Sequence, residues 1–316
     1  MELAAQDPRQ GIVFYTLGRN GSKSQPFSLE PRPYFRREDG CLQCHVSYAT
    51  MGVPGTLLRS VFPGPGGTAL YQAGSYVTDH RSPMRERFGG WYVTGASGPP
   101  RHLGNALFSD PETAEVPAKG ELLPSLNARL DARPFLSPYS DIVALMVFDH
   151  QMHMMNLLTR VGWEARYLKA EHPEVLPSRM RAAAEEFVDY LLFVDEAPLE
   201  GSANGPEEGR IRGNSGFAEE FAARGPRDGQ GRSLRQFDLQ RRLMRYPCSY
   251  MIYSEAFDAL PDGAKNAIYE RLWSVLSGRI SGGKYAGLSL LERKAVTEIL
   301  RETKDGLPEY FTTVVK

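Results

Sequence analysis

The residues best suited to chemistry stand together near the N-terminus, in the run Cys41-Leu42-Gln43-Cys44-His45. This run reads C-x-x-C-H, which is the attachment pattern of a c-type haem. Two thiols at this spacing can each form a thioether with one vinyl group of a single porphyrin, and the next residue places an imidazole under the iron. The sequence therefore predicts one covalent haem c, attached at Cys41 and Cys44, with His45 as the proximal iron ligand.

Two other kinds of site also use a C-x-x-C pair. A tetrahedral zinc site needs two further ligands, and no second C-x-x-C occurs in the chain. A thioredoxin-like redox site is expected in a βαβ frame, whereas residues 31–40 read as a Pro-rich and then charged loop. Both alternatives fit the sequence less well than haem attachment does.

The sixth position of the iron requires a nitrogen or sulfur ligand from elsewhere in the chain. We predict that His102, in a Gly- and Pro-flanked loop, is the second iron ligand beside His45, and that His80 also contacts the haem. A loop-stabilising role for His102 and a turn role for His80 are the alternatives. Met84 and a methionine cluster in the second half are further candidates, although methionines at helical spacing more often fill a core. A nearby basic zone contains Arg81, Arg85, Arg87 and Arg101. One or two of these could bind the haem propionates, and an ordinary charged surface is the favoured alternative.

The composition argues against several classes of partner. The chain has 316 residues, a net charge of −1 and 24% charged residues, so neither nucleic acid nor a membrane surface is an expected partner. No apolar run approaches the roughly 20 residues of a membrane span. The first residues do not form a signal peptide, yet covalent haem attachment in bacteria takes place outside the cytoplasmic membrane. We therefore expect a periplasmic or otherwise extracytoplasmic protein whose chain has N-terminal sequence before Met1.

The first part of the chain, residues 1–137, contains short apolar runs separated by Gly and Pro. We predict that this part is the haem region and that it has long loops and a few strands. The expected strands are residues 12–17, 56–62, 74–78 and 89–95. The strand at 12–17 has no evident earlier partner in the sequence.

The second part, residues 138–316, has helical periodicity. A long helix is expected at 142–169, capped by Ser140 or Asp141, with His150 and His153 as a core-facing pair. Residues 195–232 are expected to form a long loop that contains a short helix near 217–223. Other helices are expected from 178 onward, at 237–244, at 249–260, at 264–276 and after Ser289, where a capping box begins. The predicted fold class is α+β, with a haem domain at 1–137 and an α-helical domain at 138–316.

Several motifs resemble those of a group of predicted bacterial cytochrome c domain-containing proteins, and the resemblance covers most of the chain. The similar segments are 41–45, 52–55, 59–61, 78–83, 89–95, 101–105, 149–151 and 245–250. The resemblance implies haem binding and electron transfer, and members of the group tend to have additional N-terminal sequence. This chain departs from them where Ala96-Ser97-Gly98 replaces Thr-His-Gly, so no histidine can act at that point.

These observations predict a monohaem c-type cytochrome that transfers one electron to an unidentified redox partner protein. The alternative is a haem enzyme or sensor for peroxide or a small gas, with an open or weakly held sixth position. In that case the loop at 195–232 would cover the haem pocket. A thiol–disulfide protein that uses Cys41 and Cys44 is the class without haem.

Overall fold

The computed structural model describes residues 1–19, 33–98, 101–118, 120–199 and 210–312. These residues have an α+β structure, as predicted, with the strands near the N-terminus and most helices after residue 140. The strands are β1 (Glu2–Asp7), β2 (Gly11–Arg19), β3 (Pro33–Arg37), β4 (Leu58–Val61) and β5 (Ser75–Thr78). The helices are α1 (Leu42–His45), α2 (Ile142–Glu171), α3 (Leu176–Leu191), α4 (Phe217–Ala223), α5 (Glu255–Asp258), α6 (Asp262–Leu276) and α7 (Leu290–Thr303). Among the described residues, no helix has both the length and the apolar character needed to cross a bilayer.

The first sheet is antiparallel and has the order β1-β2-β3. Asp7 forms the turn between β1 and β2, because its Oδ1 accepts backbone N–H groups of Arg9 and Gln10 at 2.8 and 2.7 Å. The prediction that the strand at 12–17 lacks an earlier partner is therefore wrong. The sequence of β1, ELAAQD, contains no β-branched or aromatic residue, so pairing with β2 determines its conformation.

The segment before the cysteine motif is also a strand, where the sequence predicted a loop. β3 begins at Pro33, which is tolerated because β3 is at the edge of the sheet. It pairs with β2, and a short 3₁₀ turn at Asp39–Cys41 follows it directly. The cysteine motif therefore begins at the end of an edge strand.

A second sheet contains β4 and β5, which pair in antiparallel fashion. Both lie in segments that the sequence predicted as strands, residues 56–62 and 74–78. The strand predicted at 89–95 is wrong. The chain turns there instead, with φ of +68° at Phe88 and a hydrogen bond from the Trp91 N–H to the Phe88 carbonyl. Thr94 forms only isolated bridges, to Leu123 and Asp141.

α2 is the central element of the fold and contacts β2, β4 and four other helices, α3, α4, α5 and α6. Its N-terminus is capped by Asp141, as predicted, since Oδ1 accepts the backbone N–H groups of Val143 and Ala144. His150 is buried on this helix. The helix ends within two residues of the predicted boundary, because its apolar stripe is long and regular.

The C-terminal part agrees with the prediction where the helices are long. α6, α7 and the short α4 form as expected, and Ser289 and Glu292 make the predicted capping box. The helix predicted at 237–244 is wrong, because Phe237 and Met244 pair across an antiparallel bridge. At 249–260 only a 3₁₀ turn and the one-turn α5 form. Residues 200–209 of the predicted loop lie outside the described residues.

Apolar side chains from both parts of the chain contribute to one buried cluster. Ile12, Leu58, Phe88 and Val93 belong to the same cluster as the apolar side chains of α2, α3 and α6. α2 begins just after the change in composition near residue 138. The buried apolar cluster nevertheless continues across both parts of the chain. The haem region predicted at 1–137 therefore packs directly on the helices.

Candidate haem-binding site

The C-x-x-C-H motif occupies the one-turn helix α1 and the residue before it. Cys41 is half-buried and Cys44 is exposed, and both thiols are free. The preceding strand is held in place by the Glu38 N–H, which donates to the Phe14 carbonyl on β2 at 2.9 Å. No βαβ frame of the thioredoxin type surrounds the two thiols in the described residues, since β3 is antiparallel to β2 and α1 has four residues.

Two hydrogen bonds join His45 to Gly55, one through the imidazole and one through the backbone. Its Nδ1 lies 3.0 Å from the carbonyl oxygen of Gly55, and the Gly55 N–H donates to the carbonyl of His45 at 3.0 Å. A carbonyl oxygen can only accept, so Nδ1 must carry the proton. In the neutral ring the lone pair is then on Nε2, for which the described residues supply no hydrogen-bond partner. Metal-bound histidines have the same arrangement, with one ring nitrogen donating to a carbonyl and the other free for the metal.

His45 and Cys41 line a cavity of about 520 Å³, which is within the size range of cofactor pockets. Its walls come from β1, β2, the end of β3 and the loop before β4. The ring of Phe14 is 4.5 Å from the imidazole of His45 and provides an apolar wall. The lining residues are Glu2, Leu3, Ala4, Phe14, Tyr15, Thr16, Arg36, Glu38, Gly40, Cys41, His45 and Thr56. Cys41 and His45 in this wall, with the exposed Cys44 next to His45 in the chain, are the donor set of a covalently attached porphyrin, and Leu3, Ala4 and Phe14 give the wall an apolar part.

One charged pair lies at the edge of this cavity. Arg36 contacts Glu38 at 2.6 Å, and the hydroxyl of Thr16 donates to the same carboxylate at 2.7 Å. These hydrogen bonds, first from Thr16 and then from Arg36, lower the pKa of Glu38 below its usual value. A guanidinium has five N–H donors, so Arg36 retains donors for an anionic group such as a propionate. Arg36 could not be predicted as a site residue from the sequence, because only the pairing of β3 with β2 brings it to the motif.

His102 lies outside this cavity and stabilises its own loop. It is completely buried, and its Nδ1 accepts the N–H of Gly104 at 3.0 Å. Gly120 packs so closely on the ring that a Cβ at that position would overlap with it. Burial lowers the pKa of His102 to about 4, so the ring is neutral at pH 7 with its proton on Nε2. In this arrangement His102 has the loop-stabilising role that was the alternative, and the structure does not bring it to His45.

His80 also lies away from the cavity, in a buried chain of hydrogen bonds. Its Nδ1 is 2.8 Å from Nδ1 of His150, and Nε2 of His150 is 2.6 Å from the hydroxyl of Ser249. Burial lowers the pKa of both imidazoles, to about 3 for His150. The hydroxyl–imidazole–imidazole order matches the connectivity of a nucleophile, its base and an orienting group. Ser249 is completely buried, however, and accepts the Met251 N–H, so we interpret this chain as a structural link.

Two of the four arginines in the basic zone, Arg87 and Arg81, pair with other groups. Arg87 is buried and donates to the carbonyls of His80 and Ser82, at 2.8 Å each. Arg81 is paired with the carboxylate of Asp79, with a shortest contact of 2.5 Å. Neither lines the cavity beside His45.

No second axial ligand of the usual kind lines the cavity. All 6 His and 10 Met of the chain lie within the described ranges, and His45 is the only one of them in the cavity wall. Met84 is buried in the core, and Met152 accepts a hydrogen bond from the hydroxyl of Thr56. The sequence prediction of a His or Met at the sixth position therefore has no counterpart in this arrangement of the chain.

Within the described ranges, no three or more His, Cys, Asp or Glu side chains come together as a group that could hold a metal ion. The cysteine motif thus does not form part of a four-ligand zinc site with other described residues. Comparison of the chain with models of protein families, with curated proteins and with solved structures finds no match. The geometry around His45 is therefore the main basis for assigning a function.

Proposed function

We propose that this protein is a monohaem c-type cytochrome that transfers single electrons. The observation that carries the proposal is the state of His45, whose Nδ1–H donates to the Gly55 carbonyl while Nε2 has no described partner. This imidazole lies in the wall of a cavity that also includes Cys41. Metal-bound histidines have this arrangement, with one ring nitrogen donating to a carbonyl oxygen and the other free for the metal.

The proposal assigns roles to five residues in or near the cavity wall. Cys41 and Cys44 would form the two thioethers, and Nε2 of His45 would be the proximal iron ligand. Phe14 would exclude water from one side of the His45 imidazole, and Arg36 would neutralise a propionate. When bound, the haem supplies a one-electron Fe(III)/Fe(II) couple whose potential depends on axial ligation, hydrogen bonding and burial.

The same chemistry leads to proposals for the location of the protein and for its partner. Covalent attachment would place the protein outside the cytoplasmic membrane, in the periplasm or an equivalent compartment. Near the motif, Cys44 and Tyr48 are exposed, so this edge of the site is open to a second protein. We expect that partner to be a redox protein.

One observation favours a second candidate function, that of a haem enzyme or gas sensor. The cavity wall contains no methionine and no histidine other than His45, so this chain supplies no strong sixth ligand there. An open sixth position would admit a small molecule such as peroxide or carbon monoxide.

The test of the proposal begins with the protein exported from a host that matures c-type cytochromes. We expect a c-type pyridine haemochrome spectrum and an intact mass raised by one haem. The variant His45→Ala should keep the added mass, because both thioethers form, but its visible spectrum should change through loss of the proximal ligand. His172→Ala, at an exposed helix end, is the matched control and should leave the spectrum unchanged. Absence of haem from the wild-type chain would refute the proposal.

The two candidate functions differ in the response of the ferrous protein to carbon monoxide. A six-coordinate electron carrier would keep its low-spin spectrum under carbon monoxide. A haem with an open sixth position would show a high-spin spectrum that carbon monoxide converts within seconds. The second result would support the enzyme or sensor and would count against simple electron transfer.

A further inference from the structure

The loop that holds His45 is itself held by helix α2 at two points. Nδ2 of Asn156 donates to the carbonyl of Thr56 at 2.8 Å, and the hydroxyl of Thr56 contacts Sδ of Met152 at 2.8 Å. Met152 and Asn156 are four residues apart, so they share one face of the helix. Thr56 directly follows Gly55, the residue whose carbonyl accepts the Nδ1–H of His45.

The environment of Asn156 allows only one orientation of its amide. The Thr56 carbonyl can only accept, so the NH₂ group must point towards it. Oδ1 then faces Gly55, where a Cβ would overlap with it, and this oxygen has no hydrogen-bond partner. Asn156 is only 2% exposed. A buried acceptor without a partner is destabilising, so burial alone does not explain the choice of asparagine at this position.

We propose that Asn156 is a positioning residue for the proximal imidazole. It fixes the peptide units of Gly55 and Thr56 against α2, so that the Gly55 carbonyl stays 3.0 Å from Nδ1 of His45. A firm Nδ1–H···O bond makes the imidazole a stronger electron donor and favours the oxidised iron. This inference rests on the proposed function, and it adds a residue of the helical part to the control of the reduction potential.

The test compares the midpoint potentials of variants that carry haem. Asn156→Leu keeps the branching at Cγ but lacks the donor, so its potential should be more positive than that of the wild-type protein. A tenfold loss of preference for the oxidised state corresponds to a shift of about +59 mV for one electron. Thr56→Val keeps the shape of the loop and removes only the hydroxyl, and it should shift the potential in the same direction by less.

Thr159→Val is the matched control for both variants. Thr159 is also buried on α2, but its hydroxyl contacts Met155 of the same helix and Gln6 of β1. Its replacement should leave the midpoint potential unchanged, even if stability falls. An unchanged potential in Asn156→Leu, or an equal shift in the control, would overturn the inference.

A second measurement separates failure of this inference from failure of the proposed function. In the chain expressed without haem, ¹⁵N NMR of the imidazoles reports which nitrogen of His45 carries the proton. The wild-type protein and Thr159→Val should show the Nδ1–H form, whereas Asn156→Leu should show a mixture of both forms. A pure Nδ1–H form in Asn156→Leu would refute the positioning role whether or not the wild-type chain binds haem. If Asn156→Leu does not fold, the smaller variant Asn156→Ala, which also lacks the donor, takes its place in both measurements.

Discussion

His45 and His102 differ in the backbone group that each imidazole meets. At His45, Nδ1 faces a carbonyl oxygen and must donate, so the lone pair is left on Nε2. At His102, Nδ1 faces the N–H of Gly104 and must accept, so the proton is on Nε2. Two side chains of the same type therefore have opposite tautomers, and only that of His45 leaves Nε2 available to a metal.

The burial of His102 predicts a dependence of stability on pH. Its pKa is about 4 in the folded protein, compared with an ordinary value of 6.5. Between these values the unfolded chain binds more protons, so the free energy of unfolding falls as the pH decreases from 6.5 to 4. The full effect of one such group is about 3 kcal/mol.

The variant His102→Asn tests this contribution, because an amide oxygen can still accept the Gly104 N–H but does not titrate. Denaturant unfolding at pH 7 and pH 4 should show a smaller difference in unfolding free energy than in the wild-type protein. His172→Asn, at an exposed position, should retain the wild-type difference. Equal pH dependence in His102→Asn and the wild-type protein would contradict the argument.

At the scale of elements, the cap residue of α2 also holds a later segment of the chain. The second carboxylate oxygen of the cap residue, Asp141, accepts the N–H of Asn214 at 2.8 Å. It also accepts both the N–H and the hydroxyl of Ser215, at 3.0 and 2.8 Å. One side chain therefore starts the helix and holds the segment that leads into α4.

Asp141→Ala should lower the free energy of unfolding by about 2–4 kcal/mol, because it removes a helix cap and leaves several N–H groups without acceptors. Chemical denaturation followed by circular dichroism measures this loss. Asp262→Ala, at the exposed start of α6, is the control and should have a much smaller effect. Similar losses in the two variants would show that Asp141 acts only as an ordinary helix-end charge.

The bounds of long helices could be predicted from the sequence more accurately than those of short elements. α2 and α6 show many turns of apolar periodicity, and the sequence predicted them to within about two residues. β1 and β3 have weak strand sequences and form because β2 provides hydrogen-bond partners on both sides. The irregular backbone at 237–244 has φ of +59° at Leu239, which the helical pattern of that segment does not indicate.

At the scale of the whole molecule, a buried polar cluster connects the first part of the chain to α2. Asp149 accepts the hydroxyl of Thr78 at 2.7 Å and lies 3.5 Å from the guanidinium of Arg87. Burial, partly offset by Arg87, raises the pKa of Asp149 to about 6. The pair between Asp149 and Arg87 is closed to solvent, so its two residues depend on each other.

Asp149→Ala should destabilise the protein by about 3–5 kcal/mol, because Arg87 would be left as a buried charge without a carboxylate. Hydrogen exchange measured by mass spectrometry should show that residues 58–94 and 142–191 lose protection together. Asp131→Ala, in an exposed pair with Arg133, should leave exchange unchanged. Loss of protection in one of the two regions alone would contradict a shared cooperative core.

The sequence by itself determined the features that depend on local chemistry. The apolar period predicts α2, which forms as expected, and the spacing of Cys41, Cys44 and His45 leads to the proposal of a haem, because both patterns lie within a few neighbouring residues. Tertiary structure alone decided which groups surround His45. Gly55, Arg36 and Asn156 approach it through sheet pairing and helix packing, and such contacts between distant segments have no local pattern in the sequence.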